Sequence, residues 1–166
     1  PSTYNGLPVT SIGERAFYSC KSLTTINLGS VKNIGDKAFM YCSVLTKINL
    51  GNSVKTIGDD AFMYCLLLTN ITVPNSTESI GEYAFNGCES LTTINLGSVE
   101  SIGEYAFNGC ERLTTINLGD SVKTIGEYAF AVCKKLETLT IPNSVITIGD
   151  NAFDRCTALN EVDIGN

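Results

Sequence analysis

Seven cysteines, Cys20, Cys42, Cys65, Cys88, Cys110, Cys133 and Cys156, stand 22 or 23 residues apart along a chain of 166 residues. Thiols at such regular spacing could bind a metal, cross-link or pack. Zinc takes about four convergent ligands, commonly from C-x-x-C pairs or histidine; this sequence has no C-x-x-C pair and no histidine. Stacked copies would bring successive cysteines to about 4.8 Å, within disulfide reach, but equivalent positions aim their Cβ atoms in parallel rather than at each other. Seven is also an odd number to pair. The better reading is a column of reduced thiols that behave as small apolar groups beside Phe and Leu.

A row of acids recurs with the cysteines: Glu14, Asp36, Asp59, Glu82, Glu104, Glu127 and Asp150. Carboxylates about 5 Å apart could gather calcium, but no D-x-D-x-D-G loop accompanies them. Each acid is expected instead to sit at the start of its own short helical turn, where free amides and the positive dipole end favour it. Catalysis finds little support. Histidine, the commonest general base, is absent. Ser53, Ser121 and Ser144 fall in turns beside no plausible base, and no phosphate-cradling glycine loop occurs. Paired-carboxylate hydrolysis needs two acids in different environments, whereas repetition gives these acids the same one. No catalytic residue, metal site or cofactor is assigned.

The elements that carry these residues are seven copies of one line, V-x-x-I-G-x-x-A-F-x-x-C-x-x-L-x-x-I-x-L followed by Gly or Pro. All seven phenylalanines, Phe17 to Phe153, lie three residues before a cysteine. Thr77 stands where the other copies have valine. A period of 22 to 23 residues is a leucine-rich-repeat spacing. In "LTTINL" (23–28), Ile26 and Leu28 alternate with Thr25 and Asn27, the period-two pattern of a strand buried on one side. "VKTIG" predicts a short extended stretch ending at a glycine that can take positive φ. "GEYAFNGC" predicts a short helical turn with Ala106, Phe107 and Cys110 on one side. A single copy is too small to bury its own core, so each packs on its neighbours' images.

The line "VTSIGERAFYSCKSLTTINL" and its six relatives resemble the BspA-type (Treponema pallidum-type) leucine-rich repeats, from about Val9 to Ile164. The opening "YNGLPVTSIG" (4–13) resembles the start of such arrays. Glycine at Gly29, Gly51, Gly97 and Gly119 replaces the usual proline, kept at Pro74 and Pro142, and is expected to loosen the turn. The resemblance implies a surface or secreted protein, of the kind found in oral and gut bacteria and some mucosal protozoa. Several such proteins are linked to adhesion and host matrix binding. The expected fold class is α/β: a solenoid of seven repeats with a parallel β-sheet on the concave face and short helical turns on the convex face. Residues 1–166 form one leucine-rich-repeat domain, read as a piece of a longer surface protein.

Residues flanking the buried I-x-L are expected on the concave side: Thr25, Asn27, Lys47, Asn49, Asn70, Thr72, Thr93, Asn95, Thr115, Asn117, Thr138, Thr140, Glu161 and Asp163. This mostly uncharged stripe of hydroxyls and amides would suit a protein or glycan ligand. The plainer reading is that Thr and Asn are soluble residues that tolerate strands. Tyr18, Tyr41, Tyr64, Tyr83, Tyr105 and Tyr128 fall on the outer side, where they cover the edge of the core or meet a partner. Asn70-Ile71-Thr72 and Asn75-Ser76-Thr77 match the N-glycosylation pattern, which matters only in a eukaryotic source.

A net charge of −6 argues against nucleic acid and against docking on anionic membranes. No apolar run reaches the roughly 20 residues that span a bilayer. The expected role is a non-catalytic binding or adhesion module, extracellular or on a cell surface. The alternative is a structural spacer with no ligand. Exposed array ends could also associate end to end.

Overall fold

The computed structural model describes residues 3–4 and 7–165; Asn5 and Gly6 of the opening stretch lie outside them. The copies stack in register, and each contributes one rung to each of three hydrogen-bonded ladders. The first ladder is the I-x-L sheet. Strands Thr25–Asn27, Lys47–Asn49, Asn70–Thr72, Thr93–Asn95 and Thr115–Asn117 form a parallel five-stranded sheet in chain order, and Thr138–Ile141 pairs with Glu161–Ile164 beyond it.

The second ladder is a parallel sheet of seven two-residue strands, from Ser11–Ile12 to Thr147–Ile148. The sequence marks these residues as extended, but nothing in it announces that they pair with one another. The glycine after each isoleucine has a different purpose from the one expected. Gly103 does not take positive φ; a Cβ there would lie only 2.6 Å from the Glu82 amide nitrogen of the preceding copy. Close approach of two backbones, not conformational freedom, requires glycine at this position.

The third ladder replaces the expected helical turns, for among the described residues there is no helix. Arg15 (φ +55°) and Ser19 (φ +56°) are left-handed, as are Tyr105 (φ +54°) and Gly109 (φ +72°) in the fifth copy. A helix would donate every amide to its own carbonyl four residues back. Here only alternate amides close local turns: Ala16, Tyr18 and Cys20 donate to the carbonyls of Gly13, Arg15 and Phe17. The amides between them, of Arg15, Phe17 and Ser19, donate across to Asp36, Ala38 and Met40 at 2.9, 2.8 and 2.8 Å. A left-handed non-glycine residue costs about 1–2 kcal/mol. The cross-copy bonds that it aims offset this cost.

Inside the three ladders the side chains form columns. Phe39, Phe62, Phe85, Phe107 and Phe130 are fully buried, with neighbouring rings 5.1–5.2 Å apart and nearly parallel. Cys42 to Cys133, Leu45 to Leu136 and Ala38 to Ala129 are buried in the same way. Thr77 keeps its place in the valine column because its buried hydroxyl donates to the Val54 carbonyl at 2.8 Å.

Candidate functional site

The I-x-L strands put Ile and Leu into the core and turn their flanking side chains outwards. All fourteen predicted face residues are exposed. The register unites them: Thr93 lies opposite Thr115, Asn95 opposite Asn117, Thr25 opposite Lys47 and Asn27 opposite Asn49. Thr138, Thr140, Glu161 and Asp163 belong to the separate two-stranded sheet. Between the second and third copies pairing narrows to Lys47 opposite Asn70. A shallow depression of about 390 Å³ opens there, lined by Thr25, Thr46, Lys47, Asn49 and Asn70, with Ile26 and Ile48 half-buried in it.

Four asparagines of this face serve their own turns. Oδ1 of Asn27, Asn49, Asn95 and Asn117 accepts the amide of Gly29, Gly51, Gly97 and Gly119 at 2.9–3.1 Å. Those glycines have φ between +53° and +70°, so the substitution for proline builds a side-chain-held turn rather than a loose one. In the two copies with Pro74 and Pro142, threonine (Thr72, Thr140) replaces the asparagine. Proline has no amide to donate, so an acceptor two residues earlier would have nothing to hold. This pairing of Asn with Gly and Thr with Pro was open to sequence reading, and it gives the row a structural cause.

Asn70 and the threonines beside this face are also hydrogen-bonded within the protein. Asn70 Oδ1 accepts the hydroxyls of Thr92 and Thr93 at 3.1 and 3.2 Å. Thr46, Thr92 and Thr114 hydroxyls donate to carbonyls of the preceding copy. The Nδ2 groups of Asn27, Asn49, Asn95 and Asn117 have no protein acceptor among the described residues. Lys47 makes no ion pair among them either, while Glu137, Glu161 and Asp163 lie towards the other end.

The cysteines are free, and they have a polar role that the sequence did not disclose. Sγ of Cys42, Cys65, Cys88, Cys110 and Cys156 donates to the carbonyl of Phe17, Phe39, Phe62, Phe85 and Phe130 in the preceding copy, at 3.1–3.4 Å. Burial pushes four of these thiols away from ionisation, Cys88 up to about 12 and Cys42, Cys65 and Cys110 upwards as well, whereas the hydrogen bond with the Cys133 thiol draws Cys156 down. Protonated thiols in a dry column are poor nucleophiles and poor metal ligands.

The acid row also works across copies. Oδ1 of Asp36 accepts the amide of Asp59 at 3.0 Å, and Oδ1 of Asp59 that of Glu82 at 2.9 Å, so neither acid caps a helix of its own. Among the described residues no group of three or more Asp, Glu or Cys side chains converges as metal ligands would. Tyr41 stacks on Tyr64, and Tyr83, Tyr105 and Tyr128 form a second stack at 4.8 Å steps. Asn70 and Asn75 are exposed. Ser144 Oγ is buried without a partner.

The profile of the BspA type leucine-rich repeat region matches residues 6–99 and 96–166, in six copies. The chain belongs to this family. It is 35% identical to a leucine-rich repeat protein from Bacteroides ovatus, at a TM-score of 0.90, with the whole chain covered. It spans only 46% of that protein's length. Against a leucine-rich repeat protein of T. pallidum it is 36% identical with a TM-score of 0.92, covering 96% of this chain and 76% of that one. The pneumococcal vaccine antigen PcpA, 22% identical at a TM-score of 0.58, shares the fold over 98% of this chain and 56% of its own. No protein of curated function matches. The BspA-type repeat and its fold are typically non-catalytic. Among the described residues no helix is long and apolar enough to cross a membrane.

Proposed function

We propose that this chain is a non-catalytic binding module, extracellular or at a cell surface, that takes a protein or glycan ligand on the I-x-L face. The observation that carries this reading is the row of ten exposed side chains along the five-stranded I-x-L sheet, continued by four more on the two-stranded sheet that follows it. Hydroxyls and amides there can exchange hydrogen bonds with a partner without the desolvation cost of charge. This reading gives the face a binding role and assigns it no catalytic residue.

The spacer reading keeps one specific support, because four asparagines of the face hold their own glycine turns. The two readings separate on substitution of residues without that duty. Thr115→Arg with Thr138→Arg should abolish capture of an immobilised matrix protein while thermal melting stays unchanged. Undiminished capture by a folded double variant overturns the binding reading for this face.

A further inference from the structure

The side chains of the third ladder change in chemistry half-way along it. Lys37, Asp60, Tyr83, Tyr105 and Tyr128 share a left-handed backbone, with φ between +52° and +59°. Their amides make the same bond to the next copy, at the carbonyls of Asp59, Glu82, Glu104, Glu127 and Asp150, so the five side chains stand in one column. The three tyrosines stack face to face at 4.8 Å steps. The stack stops at Tyr83, because the next member of the column, Asp60, has no ring.

Tyr105 covers one face of the Tyr83 ring. On its other side Tyr83 borders a cavity of about 470 Å³, whose walls, Glu82 aside, come from the second and third copies. Met40 and Met63, half-buried on neighbouring rungs, form its apolar part. Four acids line it, Asp36, Asp59, Asp60 and Glu82, against one cation, Lys37. Lys37 lies 3.8 Å from Asp60, and no ion pair among the described residues takes up the other three acids. Burial outweighs the Lys37 cation and pushes the Asp60 carboxyl above its ordinary range, so this carboxylate is short of counter-charge.

We propose that this cavity is a docking site for an arginine side chain of a basic partner protein. A guanidinium is planar and weakly hydrated, so it can lie against the open face of Tyr83 and over the thioethers while its N–H groups reach the Asp60 carboxylate. A lysine ammonium would gain the charge but is compact and strongly hydrated, and it has no plane to stack. A hard metal cation takes oxygen ligands and gains nothing from a ring face or a thioether. Among the described residues the acids do not converge as metal ligands would. The net charge of −6 adds a bulk attraction for a basic partner. The cavity lies on a different ladder from the I-x-L face, so this docking site stands or falls apart from the role proposed there.

The test is titration of the 166-residue chain with acetylated, amidated tetrapeptides of arginine, lysine and citrulline at about 0.15 M salt. Tetra-arginine should bind at least about threefold tighter than tetra-lysine, and tetra-citrulline, flat but uncharged, should not bind detectably. The methyl signals of Met40 and Met63, the two methionines of the chain, should shift as tetra-arginine is added. Asparagine occupies the same position natively as Asn151 (φ +55°), so Asp60→Asn and Tyr83→Asn suit the backbone they enter. Asp60→Asn should weaken tetra-arginine binding about tenfold, and Tyr83→Asn should erase the preference for arginine over lysine. Glu137→Gln, the same loss of charge beside the I-x-L face, should alter neither, with all three variants melting like the parent. Absent binding of tetra-arginine, equal affinity for the arginine and lysine peptides, or unmoved methionine signals would each overturn the docking site in the parent chain alone. So would equal losses in Asp60→Asn and Glu137→Gln.

Discussion

The thiol of Cys88 donates to the backbone carbonyl of Phe62, one copy earlier, at 3.2 Å. That carbonyl also accepts the Cys65 amide at 3.1 Å, closing the turn within its own copy. One oxygen thus ties a copy to itself and to its successor, with a side chain supplying the second bond.

Removing that side chain should be costly for its size. Cys88→Ala deletes a buried hydrogen bond, worth about 0.5–1.5 kcal/mol, and leaves a small void in the fully buried column. The expected loss is about 1–3 kcal/mol in urea unfolding monitored by circular dichroism. A loss no larger than that of an exposed substitution such as Thr115→Ala would show that the thiol is only a spacer.

Alkaline pH should weaken the fold through the same column. Burial raises Cys42, Cys65, Cys88 and Cys110 above the ordinary thiol value of 9.0, Cys88 to about 12. The unfolded chain therefore releases these protons first, and it binds fewer protons than the native state above pH 9. Stability is fully present below pH 9 and declines as pH climbs through the native values, by up to about 1.4 kcal/mol per pH unit for each such thiol. Melting temperature measured from pH 8 to 11 should fall, and Cys88→Ala should show a shallower slope. A flat profile would contradict the burial of these thiols.

Asparagine and threonine in the same row should respond differently to truncation. Asn95→Ala frees the Gly97 amide and should cost about 1 kcal/mol. Thr140→Ala precedes Pro142, which has no amide, and should stay within about 0.5 kcal/mol of the parent. Chemical unfolding of the two variants side by side reads the difference directly, and equal losses would refute the turn-holding role.

Gly103→Ala should destabilise by more than the modest gain that alanine normally brings over glycine. The new methyl group meets backbone atoms of Gly81 and Glu82 at 2.6–2.7 Å, and backbone cannot step aside as a side chain can. A loss of about 1–3 kcal/mol is expected from overpacking of this kind. Gly13, in the first copy, has nothing within 4 Å of the added atom, so Gly13→Ala should be nearly neutral.

The columns were legible in the sequence because apolar spacing reports burial directly. Phe, Cys, Leu and the I-x-L strand fall where periodicity places them, and the strand residues from Thr25 to Asp163 that flank the buried positions are exposed. The convex side was not legible. "GEYAFNGC" has an acid at its start and apolar residues that share one side of a helical turn, and a line read locally carries no information about amides that bond to another copy. Left-handed Tyr105 breaks the helix although tyrosine gives no warning of it, because the bond from its amide to the Glu127 carbonyl recurs in each of the first six copies and outweighs local preference. The same blindness hid the thiol-to-carbonyl bonds and the cross-copy acids. Each is a contact between like positions in different copies, and a line read on its own describes only one of the two partners.

Residues 81–97 and 103–119 differ only at Ser90 and Arg112. Since every rung offers its successor the same edge that it receives from its predecessor, excising one of these copies would rejoin surfaces already matched to each other. Gain or loss of 22 or 23 residues leaves the cross-section untouched, and the one-residue difference between the two lengths is absorbed in the turn after the I-x-L strand, where Gly29-Ser30 of one copy becomes Gly51-Asn52-Ser53 of the next while the ladders stay in register. Length in this protein is heritable in whole steps, and an unequal genetic exchange between its near-identical lines yields a shorter or longer rod that folds by the same rules.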